Sequence, residues 1–152
     1  TNKTRLISNL KTTLTQSLAG GYGLPKATAL FRQGMESGRA AALRVVRTEY
    51  ANAIETAVKD DYEEFGVDQY QFMATLDDRT SDICGALDGE IFDVKDAQEG
   101  VNYPPMHPNC RSTTIPYIDG GVSSRVARNL DSGKSYSMGQ YQTYEEWAKD
   151  RL

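Results

Sequence analysis

Histidine occurs once in this 152-residue chain and cysteine twice, so chemistry that needs clusters of either has little to draw on. Two cysteines, Cys84 and Cys110, are too few for the disulfide framework of a small secreted protein, and a reducing compartment is expected. No apolar run approaches the ~20 residues that cross a bilayer, and the N-terminal stretch lacks the compact apolar core of a signal peptide. A soluble chain that is not exported by that route, with no membrane partner, follows as the expectation. Its start at Thr1 rather than methionine suggests a fragment or a processed product. Also missing are internal repeats, alternating βαβ units and a Gly-rich phosphate loop, which argues against a nucleotide-binding fold.

What is present describes an ordinary folded domain. Hydrophobic residues make up 39% and charged residues 25%, and the length suffices for a real core. Charge is unevenly spread. Residues 1–47 carry eight Lys/Arg and one acid, residues 48–99 three and fifteen, and the remainder six and five. The basic N-terminal part, with Lys3, Arg5, Lys11, Lys26, Arg32 and Arg39, is a candidate contact for DNA or an acidic protein partner. Pairing of the basic segment with the acidic one, or plain solvation, is the alternative.

Leu6, Ile7, Leu10, Leu14 and Leu18 recur at helical spacing before Gly20-Gly21, predicting a helix over 3–19. Leu24-Pro25 restarts the chain, and a second helix is expected through Leu30, Phe31 and Met35 to Gly38. From Arg39 the series Ala42, Val45, Val46, Tyr50, Ile54, Ala57, Val58, Tyr62, Phe65 predicts one long spine helix that Gly66 ends. The period then changes to alternation at Tyr70, Phe72, Ala74 and Leu76, a strand. A short helical turn capped by Thr80 is expected over 81–87, then a turn at Asp88-Gly89, a strand over 90–94, a proline-bearing loop over 95–110 and a third strand over 112–118. Thr143-Tyr-Glu-Glu146 has the form of a capping box opening a last helix with Trp147. The order predicts an α+β fold with N-terminal helices, one of them a long spine packed on a small, mainly antiparallel sheet. Residues 1–119 form the module, helical to 66 and β-rich after it, and 120–152 a tail that the pattern does not place.

The proline loop draws the functional question. His107 and Cys110 stand three apart between Pro104, Pro105, Pro108 and Pro116. With Cys84 they are ligand types that suit zinc, although a structural site wants four ligands, and Asp78, Asp82 or water would have to complete it. A Cys84–Cys110 disulfide, Cys/His catalysis, and a stiff corner with packed thiols are the alternatives. In Arg47-Thr48-Glu49, either the triplet is an exposed arc of the spine, or Glu49 meets Arg79 or Arg111 and locks the loop to the helix.

The blocks taken in order resemble a known family. They are Arg47, Thr48 and Glu49; Asp77 or Asp78 with Arg79, Thr80 and Cys84; Leu87, Asp88, Gly89 and Phe92; and Pro104, Pro105, His107, Pro108, Asn109, Cys110 and Arg111. Over roughly residues 1–118 this resembles the phage Mu protein F-like family of head morphogenesis, or minor head, proteins. The resemblance implies a minor structural component of a tailed-phage head, present in few copies, associated with the portal and assembled with scaffold and capsid proteins. Its place would be the virion, in the head interior or portal region, after assembly in the host cytoplasm. Some relatives bind DNA or influence its packaging and ejection, and some carry a toxin domain fused after the module. No enzymatic activity, no catalytic residue and no obligatory cofactor follow. Many relatives have cysteine where this chain has Ser81 and Ser112, which would complete a zinc-like ligand set that is thinner here. The rival reading is a nuclease-like effector in which His107 is general acid or base and Arg79, Arg111 and Glu49 handle phosphate and proton.

Overall fold

The computed structural model describes residues 2–33, 39–118 and 121–151, leaving the side chains of Asn2, Lys3, Arg5 and Arg39 aside. Three helices come first: α1 Asn2–Ala19, α2 Leu24–Gln33 and α3 Arg39–Glu64. The expected run of the second helix through Met35 to Gly38 lies outside the described residues. Ala27, Phe31, Ala42 and Val46 are the buried heart of this half, with Leu6, Leu10, Leu24 and Val45 packed around them. On α1 the inward face differs by a notch from the apolar pattern. Thr13 and Ser17 are buried while Ile7 and Leu18 are each 45% exposed.

Gly66, at φ +67, takes the left-handed conformation that L side chains resist and turns the chain out of α3, with the Val67 N–H reaching back to the Tyr62 carbonyl. Strand β1 (Gln69–Met73) then lies at the centre of an antiparallel sheet, between β2 (Ile91–Asp93) and β3 (Thr113–Pro116). The alternation read from the sequence is real on one face: Tyr70 and Phe72 are fully buried. Between β1 and β2 sits α4 (Asp82–Leu87). Its cap is Ser81, whose hydroxyl accepts from the Cys84 N–H; Thr80, the expected cap, donates instead to the Thr75 carbonyl and to Asp77.

The spine crosses the sheet as expected, with Tyr62 and Val58 of the apolar series facing it and Glu55 added to that side. Tyr62 shares a hydrogen bond with Thr114 at 3.2 Å, and the Tyr103 hydroxyl donates to the Glu55 carbonyl at 2.8 Å. Tyr62, Tyr70, Val94 and Tyr103 form one cluster there, and Phe72, Ala74, Cys84 and Cys110 the next. Glu55 is the buried residue on this part of α3, whereas Ile54 is 44% and Phe65 78% exposed.

The C-terminal stretch is built into the same body. A hairpin of β4 (Val126–Arg128) and β5 (Ser135–Ser137) bridges Leu76 through Ala127, and α5 (Tyr144–Lys149) opens on the predicted box of Thr143 and Glu146. Leu76, Ala127, Met138 and Trp147 close the fourth cluster. Its polar anchor is a buried pair. Both Arg125 guanidinium nitrogens bond Asp88, at 2.6 and 2.9 Å, and Asp88 also accepts from the backbone N–H of Ala74 and Tyr144. The Asp88-Gly89 turn is thus where strand, hairpin and last helix meet. No described helix is long and apolar enough to cross a membrane.

Candidate functional site

The motif residues converge on one corner between α3, α4 and the proline loop. The loop reaches it through a turn in which the Cys110 N–H bonds the His107 carbonyl, with Asn109 at φ +62, a left-handed conformation that asparagine tolerates better than most. This turn aims two groups in opposite directions. The Asn109 N–H donates to Thr48 Oγ1 at 3.1 Å, while Thr48 itself donates to the Arg44 carbonyl one turn back on α3. The loop is therefore locked to the spine, but by Thr48. Glu49 makes no ion pair with Arg79 or Arg111 among the described residues, because both guanidiniums are taken by another acid.

That acid is Asp77, fully buried. Arg111 bonds it with both Nη atoms, Nη2 to Oδ1 at 2.7 Å; the Arg79 N–H donates at 3.0 Å and the Arg79 guanidinium lies 3.6 Å away. Burial by itself would push this carboxyl up. The Arg111 hydrogen bonds, the Arg79 N–H and the two positive charges outweigh it and hold the group at about 2. Asp78, the neighbour that the sequence offers equally, is exposed.

Across the turn, Cys84 from α4 meets His107 and Cys110. Cys84 Sγ lies 3.3 Å from His107 Nε2 and 3.8 Å from Cys110 Sγ, and Ser81 Oγ lies 2.8 Å from Nε2. Both thiols are buried and free, too far apart for an S–S bond of about 2 Å, so the disulfide alternative is not what this structure contains. His107 Nδ1 is 3.0 Å from the Pro108 carbonyl, which can only accept, so Nδ1 donates there, and Nε2 faces Ser81 Oγ and Cys84 Sγ. The bond from Cys84 pulls the Cys110 thiol below the usual range, and the same bond together with burial pushes Cys84 up.

This donor set fits zinc in part. Zn–S of about 2.3 Å and Zn–N of about 2.0 Å in a tetrahedron place sulfurs about 3.8 Å apart and sulfur and nitrogen about 3.5 Å apart. The three ligand atoms all lie within 4.8 Å of one another, and an Nδ1–H tied to a carbonyl is the usual second support of a metal-bound imidazole. Neither Asp78 nor Asp82 joins the cluster, so three residues of it would hold a metal, and Ser81 Oγ lies beside one of their ligand atoms, His107 Nε2.

The other expected residues are spread out. His107, Arg79 and Arg111 line one groove, but Glu49 is not among its walls, so the nuclease-like quartet is incomplete. Lys11, Lys26 and Arg32 are exposed on α1 and α2, with the Lys26 ammonium over the Tyr22 ring at 3.3 Å. Lys3, Arg5 and Arg39 lie outside the described side chains. Reading by residue type did not mark Arg128 or Glu55, and set Arg44 only beside Glu49 on an exposed arc of the spine. Arg44 was visible as the i−3 neighbour of Arg47, whereas Arg128 reaches the groove only through the hairpin.

Residues 8–115 match the family described as phage Mu protein F-like protein. An uncharacterized protein of Haemophilus influenzae is 27% identical over 89 residues, a stretch that makes up 59% of this chain and 19% of that protein. No solved structure matches. The matched range contains every group of the corner, from Thr48 through Asp77 and Cys84 to Arg111, and the chain belongs to the phage Mu protein F-like family.

Proposed function

We propose that the chain is a minor structural protein of a tailed-phage head that acts in capsid assembly at or near the portal. Portal and capsid or scaffold proteins are its partners, DNA packaging or ejection is the step it touches, and the head is its final location after assembly in host cytoplasm. The observation that carries this reading is family membership over residues 8–115. The chemistry of the corner supports it. Thr48, Asp77, Arg111, Thr80 and His107 all spend their polar atoms on holding loop, helix and sheet together. No cofactor is required for assembly; zinc held by Cys84, His107 and Cys110 would act only as a clamp on the same corner.

The test is fractionation of cells infected with the phage that encodes the chain. Quantitative mass spectrometry is expected to find it in purified heads at a few copies per portal ring, and its deletion to leave heads that assemble or fill poorly. A chain that stays wholly in the soluble host fraction, or purified protein that cleaves RNA or DNA in a His107-dependent way, would overturn the reading.

A further inference from the structure

Beside the corner, α3, the proline loop and the Arg79 turn enclose an open groove of about 810 Å³. Five arginines line it, at 44, 47, 79, 111 and 128, and among the described residues no aspartate or glutamate does. Arg79 and Arg111 share Asp77 behind the wall; among the described residues no carboxylate lies within ion-pair distance of Arg44, Arg47 or Arg128. Guanidiniums stay charged under all ordinary conditions, so this wall carries an uncompensated field. Between the arginines the floor is aliphatic, with Leu24, Leu43 and Ile54. A second hollow of about 270 Å³ shares Leu24, Leu43 and Arg47 and adds Arg32, lengthening the same channel toward α2.

We infer that this groove docks an acidic amphipathic segment of a partner protein, with apolar side chains on Leu24, Leu43 and Ile54 and carboxylates on Arg44, Arg47 and Arg128. This deepens, and rests on, the assembly reading above, because it supplies the surface by which such a module would be held. Charge complementarity fixes the sign of the partner, and the aliphatic floor fixes its class. A single nucleic-acid strand gains its grip by stacking bases on aromatic faces. Among the described residues Tyr50 and His107 are the rings on these walls; the Tyr50 hydroxyl is tied to the Tyr22 carbonyl, and His107 is held by Ser81 and the Pro108 carbonyl. Leucine-type anchors flanked by acids match floor and rim together, as in helix-in-groove recognition. The acidic end of α3, with Asp60, Asp61, Glu63, Glu64 and the exposed Phe65, has the same sign of charge, and a second copy docked by it would be held head to tail, an outcome that the test below separates from a partner segment.

Fluorescence anisotropy of the purified chain with a labelled peptide of about 15 residues, leucines at i, i+3, i+4 and i+7 and glutamates between them, tests this. Saturable binding is expected, weakened at least about tenfold by Arg44→Glu with Arg47→Glu, by Leu43→Asp, and by exchanging the peptide's leucines for serine. Unchanged melting of the arginine variant shows that folding is intact. No binding, binding indifferent to both variants, or equal binding of the leucine-free peptide overturns the inference. So does oligothymidylate that binds more tightly and displaces the peptide, which assigns the groove to nucleic acid, or a self-association abolished by the arginine variant, which assigns it to a second copy. The two readings fail separately: an arginine variant that binds no peptide yet enters heads like the wild type ends the groove proposal alone, and a wild-type chain absent from heads ends the assembly reading.

Discussion

Replacing Asp77 by asparagine removes the charge at the centre of the corner while keeping the side chain's shape. In the native protein this carboxylate takes the Arg111 fork, the Arg79 N–H and the Thr80 hydroxyl, and it has no exposure to water. Its carboxyl is held at about 2 against an ordinary 3.8, a difference that corresponds to about 2 kcal/mol in favour of the ionised folded state. Because the folded value is the lower one, this contribution is complete above the unfolded value of 3.8 and is lost as pH falls toward about 2. Asparagine forfeits that amount and also turns an N–H₂ toward guanidinium donors, so the total loss is set at about 3 kcal/mol, the lower end for breaking a buried pair. In a chain of this size each kcal/mol moves Tm by about 2–4 °C, which gives a fall of about 6–12 °C at neutral pH. Thermal melts followed by circular dichroism measure it, with Asp78→Asn as a control expected to stay within about 0.5 kcal/mol of wild type. By pH ~3 the gap between wild type and Asp77→Asn narrows by about 1 kcal/mol. Equal Tm values for the two variants, or a gap that ignores pH, would show that the corner does not depend on this charge.

Three more outcomes are expected. Arg125→Ala strands the Asp88 carboxylate in the interior and costs about 3–5 kcal/mol; limited proteolysis then cuts within 121–143 well before the module, and uniform digestion would count against the anchor. Burial pushes the Glu55 carboxyl above its ordinary 4.5, and its Oε2 has no hydrogen-bond partner. Folding therefore takes up a proton there, and wild-type stability declines as pH rises above the unfolded value. Glu55→Gln is expected to gain on wild type in urea titrations at pH ~8 and to lose that gain at pH ~4, whereas a difference independent of pH would place the charge elsewhere. Finally, equimolar zinc is expected to raise Tm, a chelator to reverse the rise, and Cys84→Ser or His107→Ala to abolish it; no rise, with both thiols titrating freely in native protein, leaves a hydrogen-bonded thiol corner without metal.

The sequence shows clearly what repeats and poorly what meets. Helical periodicity located α1, α2 and α3, and alternation located β1, because one face of each is buried along its length. The stripe facing inward was harder. On α3 the apolar series passes through Ile54, yet the sheet covers Glu55, whose carbonyl and burial are tied to Tyr103 and β3. Helix ends depend on single hydrogen bonds, which is why Ser81 rather than Thr80 caps α4. The motif blocks pointed to one place, but their pairing did not follow from order. Thr48 and Asn109 are 61 residues apart and Arg111 and Asp77 34, distances at which spacing carries no geometric information. The hairpin strands, three residues each, are shorter than any reliable period, so Ala127 and Arg125 gave no sign of their partners.

The Asp88–Arg125 bond has a consequence for how this family is divided. The range that matches the family ends at 115, before the hairpin begins. Physically the body does not stop there. Cutting the chain at that point would bare Leu76 and take from Asp88 both guanidinium donors and the Tyr144 N–H, leaving only the Ala74 N–H. In this chain the matched range is thus smaller than the packed body, and the turn at Asp88 is completed by a cation from outside it. The hairpin and last helix are in this sense a closing piece for the body, brought in by one positive charge.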